Sequence, residues 1–229
     1  SFYKNELESE IKKDGRFSGF PDYYRKNGYK DFKRAAGPNA WMIVAINNYT
    51  QTTQDRSFLP MASHIADWIL TLQNENGGIR GGFESQTKPM TWVSTEHNLD
   101  TYAALKVLSE LSLTERYKEA AERIFGWLQG VAWNAEENRF NLGENDHNFA
   151  TDVSAWAVLV LGSEYSSALE FAEDKSRNKQ FYEKGKSWVD GFDFGATYRE
   201  GPYPDKDAVW FEGTAQMSLA YYCVQNLVD

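Results

Sequence analysis

A single cysteine, Cys223, rules out any disulfide within these 229 residues, so packing alone must hold the fold. No apolar run approaches the roughly 18 to 20 residues that a membrane-spanning helix needs, and no membrane role is expected. No basic stripe interrupts the 33 acidic and 24 basic residues, and the net charge of −9 argues against nucleic acid as a partner. No charged and apolar leader precedes the first helical stretch, so no export signal is expected in this chain; the compartment stays open between cytoplasm and bacterial export. Three histidines and one cysteine leave little material for a Ser/His or Cys/His nucleophile. The pairs Gly77-Gly78 and Gly81-Gly82 are followed by more loop instead of a helix start, which excludes a phosphate cradle. Glu144, Asp146, His147 and Asp152 match no metal-ligand spacing, including the calcium loop, so neither metal nor cofactor is expected.

Aromatic residues, by contrast, are plentiful. Eight Trp and thirteen Tyr exceed what a core of this size requires, and some are expected to line a groove. The length permits a full core, and a single domain over 1–229 is expected.

Hydrophobic periodicity predicts paired helices. After a first helix over 1–13 and an aromatic connection with Phe17, Phe20, Tyr23, Tyr24, Tyr29 and Phe32, Gly37-Pro38-Asn39 opens a helix over 39–50 that is apolar on most sides. An amphipathic partner follows over 57–74. The same order recurs with 96–111 and 115–129, for which Thr95 is the expected N-cap. A third copy pairs 152–162 with an outer helix over 178–190, with a further helical stretch near 165–173 between them, and a fourth begins at 208. Aligning Gly37, Asn98, Asp152 and Glu212 gives intervals of 61, 54 and 60 residues, with Asn39, Asp100, Ser154 and Thr214 as the next column. Such periods indicate repeated helical hairpins. Trp41, Leu105, Trp156 and Met217 are expected inside.

Turns within the hairpins are short, whereas the returns over 75–95, 130–150 and 190–208 are long, and long loops in a compact domain are usually functional. In antiparallel hairpins these returns share one end with the starts of the buried helices, where a cleft is expected. The loops hold Trp92, Trp133, Trp210 and Tyr203 beside His147, Tyr198 and Arg199, and His97 stands at a helix start. Flat apolar rings beside amides, carboxylates and an arginine suit a sugar, which needs a face to stack on and partners for its hydroxyls.

The segments Gly37-Pro38-Asn39-Ala40-Trp41, Ile65-Ala66-Asp67-Trp68-Ile69-Leu70-Thr71-Leu72-Gln73, Gly77-Gly78-Ile79-Arg80-Gly81-Gly82 and Trp210-Phe211-Glu212-Gly213-Thr214 resemble an (α/α) toroid of the six-hairpin glycosidase superfamily. The resemblance covers nearly the whole chain. It implies an all-α fold of repeated antiparallel hairpins; the chain departs from the family in supplying about three and a half, fewer than a closed six-hairpin ring needs, so either a partner chain or a C-terminal segment completes the ring or the ring is smaller. It also implies an oligo- or polysaccharide bound in the toroid mouth and, in a hydrolase, two carboxylates that cleave the glycosidic bond. Glu96, Asp100, Asp152 and Glu212 stand at helix starts and are the catalytic candidates; acids there also serve simply as helix caps. Trp210 and Phe211 are expected to wall Glu212 from water, which suits a general acid, with Asp152 or Asp100 as its partner and Glu96 as the alternative acid. A polysaccharide lyase or sugar epimerase using His97, His147 or Tyr198 as base is the enzymatic rival, and a non-catalytic glycan-binding or scaffold module the rival from another class.

Overall fold

Proline and glycine set where the first buried helix starts. In the computed structural model, which describes residues 17–22, 32–195 and 206–226, helix α1 spans Ala36–Thr53. Pro38 falls in its first turn, where no intrahelical N–H bond is lost. No side chain caps this helix; the Ala36 N–H donates to Gly81 O at 2.9 Å and the Ala35 N–H to Asp22 Oδ1 at 2.7 Å. The helix ends at Gln54, whose left-handed backbone (φ 63°) returns its N–H to Thr50 O.

By Cα proximity the chain divides into two units, Ser1–Leu128 and Gln129–Asp229. In the first, α1 is followed by α2 (Leu59–Leu70), α3 (Thr95–Ser112) and α4 (Glu115–Trp127). α1 packs on α2 and on α3, and α3 on α4. The first and third helices thus meet each other, and each carries its own hairpin partner. Asn47 Nδ2 ties the two by donating to Ala104 O at 2.9 Å, and Ile43, Ala104, Leu105 and Leu108 are fully buried between neighbours. Burying a Leu or Ile side chain contributes about 1.5–3 kcal/mol each, so this seam contributes substantially to the unit's cohesion. The cap of α3 is Ser94, not Thr95: Ser94 Oγ accepts the His97 N–H, and Thr95 is already helical.

The long return between α2 and α3 is not bare loop. Strands β1 (Arg34–Ala35), β2 (Gly82–Ser85) and β3 (Lys88–Met90) form a three-stranded antiparallel sheet in that order, with Arg34 opposite Phe83 and Gly82 opposite Met90. Gly82 sits at φ 117°, and a Cβ there would meet Arg34 O at 2.1 Å.

In the second unit a π-helical turn (Leu128–Ala132) leads to β4 (Trp133–Asn134), paired with β5 (Arg139–Phe140). Helices α5 (Thr151–Leu161), α6 (Ser167–Ser176) and α7 (Phe211–Asn226) follow, with α5 packed on α6 and α7. Tyr221 Oη bridges α7 to Leu169 O and Glu173 Oε2 on α6, each at 3.2 Å.

The expected outer helix over 178–190 is instead an antiparallel hairpin, β6 (Arg177–Tyr182) and β7 (Ser187–Phe192). The sequence carries the reason: Phe181, Tyr182, Trp188 and Val189 favour extended backbone, and Lys184-Gly185-Lys186 turns the chain, with Lys186 at φ 47°. The outer position after α5 is taken by α6, reached through Gly162 (φ 119°) and a 3₁₀ turn at Ser163–Tyr165. The described residues are therefore mostly helical, with three small sheets where an all-α chain was expected.

Leu105 and Met217 are buried as expected, and Trp156 is half-buried. Trp41 is exposed. It belongs to a stripe on α1, with Val44, Ala45, Asn48 and Tyr49, that lines a groove of about 460 Å³. α1 already spends its other faces on α2 and α3, and helical spacing leaves Trp41 on the remaining one. The expected helix over 1–13 and Tyr23, Tyr24 and Tyr29 lie outside the described residues. No helix among the described residues is long and apolar enough to cross a membrane.

Candidate functional site

Each unit gathers two helix starts at one end. In the first, Gly81 bridges them: its carbonyl receives the Ala36 N–H, and its own N–H donates to Trp92 O at 2.8 Å. Trp92 lies on Gly81, where a Cβ would come within 2.5 Å of the indole, and the ring leans on His97 at 5.2 Å between centroids. Despite both supports Trp92 keeps 46% of its surface exposed. Glu96 is exposed in the first turn of α3, and Asp100 is buried one turn deeper.

His97 is packed across the two helices. Its Cδ2 would lie 2.5 Å from a Cβ at position 37, so only glycine leaves room for the ring. That explains the Gly of Gly37-Pro38-Asn39. Nδ1 is buried without a hydrogen-bond partner. Burial, opposed by Asp22 and reinforced by Lys33, holds the imidazole down to about 4. Asp22 itself caps the Ala35 N–H and pairs with Lys33 at 3.6 Å. A neutral ring wedged against a backbone positions α1 against α3; it offers no accessible Nδ1 to a substrate.

In the second unit, residues 192–194 fasten both starts. The Thr151 N–H donates to Phe194 O at 2.8 Å and Thr151 Oγ1 to Asp193 O at 2.6 Å; the Trp210 N–H donates to Phe192 O at 2.8 Å, and Thr214 Oγ1 accepts the Phe192 N–H at 2.9 Å. Asp152 and Glu212 therefore begin helices at the same end of this unit. Asp152 is half-buried and accepts the Val153 N–H at 2.8 Å. Glu212 and Phe211 are both exposed, so Phe211 does not wall the carboxylate from water. Trp210 packs edge-on to Phe194 at 4.8 Å and lies over Gly213.

Two of the expected binding residues lie in the loop between the π-helical turn and α5. Trp133 is enclosed by Phe140 at 4.9 Å and Tyr165 at 5.3 Å. His147 is exposed, but its carbonyl is held by Arg139 Nη2 at 2.9 Å. Arg139 is buried; it pairs with Glu137 at 2.6 Å, and Nη1 donates to Phe140 O and Asn141 Oδ1 at 3.1 Å each. This guanidinium fixes the loop that presents His147, a role the sequence does not announce.

Asp193 is the carboxylate that sequence reasoning passed over. It is 6% exposed; Oδ1 accepts the Phe194 N–H at 2.7 Å, and Oδ2 has no partner. A buried polar atom without a partner is uncommon and is often associated with function. The signal was present in Phe192-Asp193-Phe194, an acid between two rings inside a long return. Tyr198, Arg199 and Tyr203 lie outside the described residues. Among the described residues no group of three or more His, Cys, Asp and Glu side chains could hold a metal ion.

No family model matches the chain. A curated relative, the capsid polyprotein VP86 of Human astrovirus VA1, is 24% identical over 105 residues, which is 44% of this chain and 14% of that protein's length. The fold is clearer. A family 76 glycoside hydrolase (mannosidase) from Bacteroides thetaiotaomicron superposes with a TM-score of 0.57 at 11% identity, over 85% of this chain and 55% of that one. The cellobiose 2-epimerase of Bacillus thermoamylovorans superposes with a TM-score of 0.62 at 13% identity, over 99% of this chain and 67% of that one. The chain thus spans between about half and two thirds of the length of these proteins. The structural neighbours are six-hairpin glycosidase-fold proteins, and the chain shares the fold of glycoside hydrolases and of sugar epimerases and isomerases.

Proposed function

We propose that this chain is a carbohydrate-active protein, a glycoside hydrolase, that takes its glycan at the N-terminal ends of the inner helices. The observation that carries the reading is Trp92: the ring rests on Gly81, meets His97 at a tilt, and keeps nearly half of its surface open to solvent at the end of the unit where α3 begins with the exposed Glu96. A tryptophan pinned from behind presents a rigid apolar face to a sugar ring at little entropic cost. The carboxylates proposed for catalysis are Glu96 and Asp100 in the first unit and Asp152, Glu212 and Asp193 in the second.

Further helical hairpins, from a partner chain or from the same polypeptide, are proposed to complete the toroid. Exposed apolar side chains support this, Tyr49 on α1 and Phe211 and Leu219 on α7. They mark faces on which a neighbouring inner helix would pack.

The test is to incubate the protein with α-mannan, starch, cellobiose and aryl rhamnosides, and to follow reducing ends and sugar isomers in parallel. Release of reducing ends, lost in Trp92→Ala, is the expected result. Isomer formation without hydrolysis would turn the assignment to an epimerase, and binding without turnover to a glycan-binding module.

A further inference from the structure

The hairpin that replaces the expected outer helix has two unlike faces. Strand alternation puts Asn178 and Gln180 on one of them, and both are spent on the segment before α7: Asn178 Nδ2 donates to Ala208 O and Gln180 Nε2 to Lys206 O, each at 3.0 Å. The opposite face carries Arg177, Lys179 and Phe181 on β6, set against Asp190 and Trp188 on β7 in the register Lys179–Asp190 and Phe181–Trp188. Phe181 and Trp188 meet edge to face at 5.4 Å, and Lys179 Nζ stands 5.7 Å from the Trp188 ring. They remain 49% and 62% exposed.

The hairpin has fastenings besides these two rings. The inward face is already bonded to residues 206–208, and Arg177 secures the base through ion pairs with Glu173 and Asp190. The charge is unusual as well. In a chain of net −9, the hairpin over 177–192 carries Arg177, Lys179, Lys184 and Lys186 against Glu183 and Asp190, and with Arg177 held by Glu173 and Asp190 the basic groups left to the outward face and the turn are Lys179, Lys184 and Lys186. Local basicity on an acidic protein attracts an anion and, because it is local, leaves the rest of the surface repelling one.

We propose that the outward face of the β6–β7 hairpin is a second glycan-binding surface, selective for an acidic, uronate-bearing polysaccharide. Trp188 and Phe181 stack pyranose rings, while Lys179 beside the indole and Lys184 and Lys186 at the turn meet the carboxylates. Aromatic stacking and charge are both required, which distinguishes this surface from a purely cationic patch. The proposal does not depend on catalysis at the helix starts.

Affinity electrophoresis of the whole protein in native gels containing polygalacturonate tests it, with neutral galactan as the control polymer. Polygalacturonate should retard the protein and galactan should not, and the retardation should weaken as salt is raised. Trp188→Ala and the double variant Lys184→Ser/Lys186→Ser should each weaken retention at least fivefold; the turn variant touches no packed residue and so keeps its fold. Absence of retention by polygalacturonate and alginate would overturn the proposal, as would equal retention by double-stranded DNA or anionic vesicles. Retention that survives both hairpin variants but is lost in Trp92→Ala would move the binding to the α3 end and overturn it too.

Discussion

Asn98 does to Ile79 what Asn39 does to Phe20, nineteen residues upstream in each case. Each Oδ1 accepts the backbone N–H of that residue at 2.7 Å, and each Nδ2 donates to its carbonyl at 3.1 Å and to the carbonyl four residues before the asparagine at 2.7–2.9 Å. The amide clasps a passing segment onto the first turn of the helix that follows. Thr214 has the same place in α7, accepting the Phe192 N–H and donating to Trp210 O, four residues back. Ser154 holds the same column in α5, at intervals of 59, 56 and 60 residues along Asn39, Asn98, Ser154 and Thr214, but makes no such clasp: its buried Oγ has no partner.

Removing the clasp should be costly. Asn98→Ala leaves a buried N–H and a buried C=O of Ile79 without partners, and each unsatisfied group costs about 1–3 kcal/mol. Urea unfolding should show a loss of roughly 2–4 kcal/mol with no change in slope. Asn98→Asp should be at least as damaging, because an oxygen would replace the amide that donates to two carbonyls. A loss below about 1 kcal/mol would mean that water replaces the clasp.

The helices were legible because their apolar spacing is set by packing on neighbours, as Ile43, Leu105 and Met217 show. The repeat was legible only to within two residues. Sequence alignment matched Gly37 to Asn98, whereas the hydrogen bonds match Asn39 to Asn98, and nothing in residue type alone distinguishes a clasp from a cap. The stretch over 178–190 misled because Lys and Glu suit a helix, while the extended preference came from spaced aromatic residues and one Gly. Glu212 looked walled because Trp210 and Phe211 precede it; adjacency in sequence does not fix direction, and in α7 Phe211 points to solvent. Asp193 was missed for the converse reason, since its burial arises from the contacts of a strand end with two helix starts.

His97 should make the fold acid-sensitive in a defined window. Its imidazole is held down to about 4 against an ordinary 6.5, chiefly by burial. Above pH 6.5 the ring is neutral folded and unfolded, and its contribution is complete; between 6.5 and 4 only the unfolded chain takes up the proton, so stability falls as pH falls. The loss should reach on the order of 2–3 kcal/mol at pH 4. His97→Asn should flatten this part of a plot of melting temperature against pH, and an unchanged slope would assign the acid sensitivity to other groups.

Gly81→Ala tests the support behind Trp92. A methyl group at 81 would press within 2.5 Å of the indole, and the ring must tilt away. Tryptophan fluorescence should shift to the red, and glycan binding should weaken about tenfold, equivalent to about 1.4 kcal/mol, while the helical circular dichroism is kept. Unaltered binding with a displaced ring would remove Trp92 from the site.

Asp193 and Glu212 make the sharpest pair, because they share one end of the second unit and differ in environment. Glu212 is exposed in the first turn of α7, where an acid also serves the helix dipole. Asp193 is buried, with one oxygen satisfied by the Phe194 N–H and the other by nothing. A general acid or nucleophile contributes typically about two to four orders of magnitude, so the isosteric amide at the right position should cost at least a hundredfold in turnover. Asp193→Asn is expected to show that loss with the melting temperature little changed, because the Oδ1 cap on Phe194 is retained. Glu212→Gln is expected to cost less than tenfold if Glu212 is only a helix-end charge, and a hundredfold or more if it forms the pair with Asp193 or Asp152. Should Asp193→Asn melt early yet turn over normally per folded molecule, Asp193 is an anchor for the starts of α5 and α7, and the catalytic pair lies among Glu96, Asp100, Asp152 and Glu212.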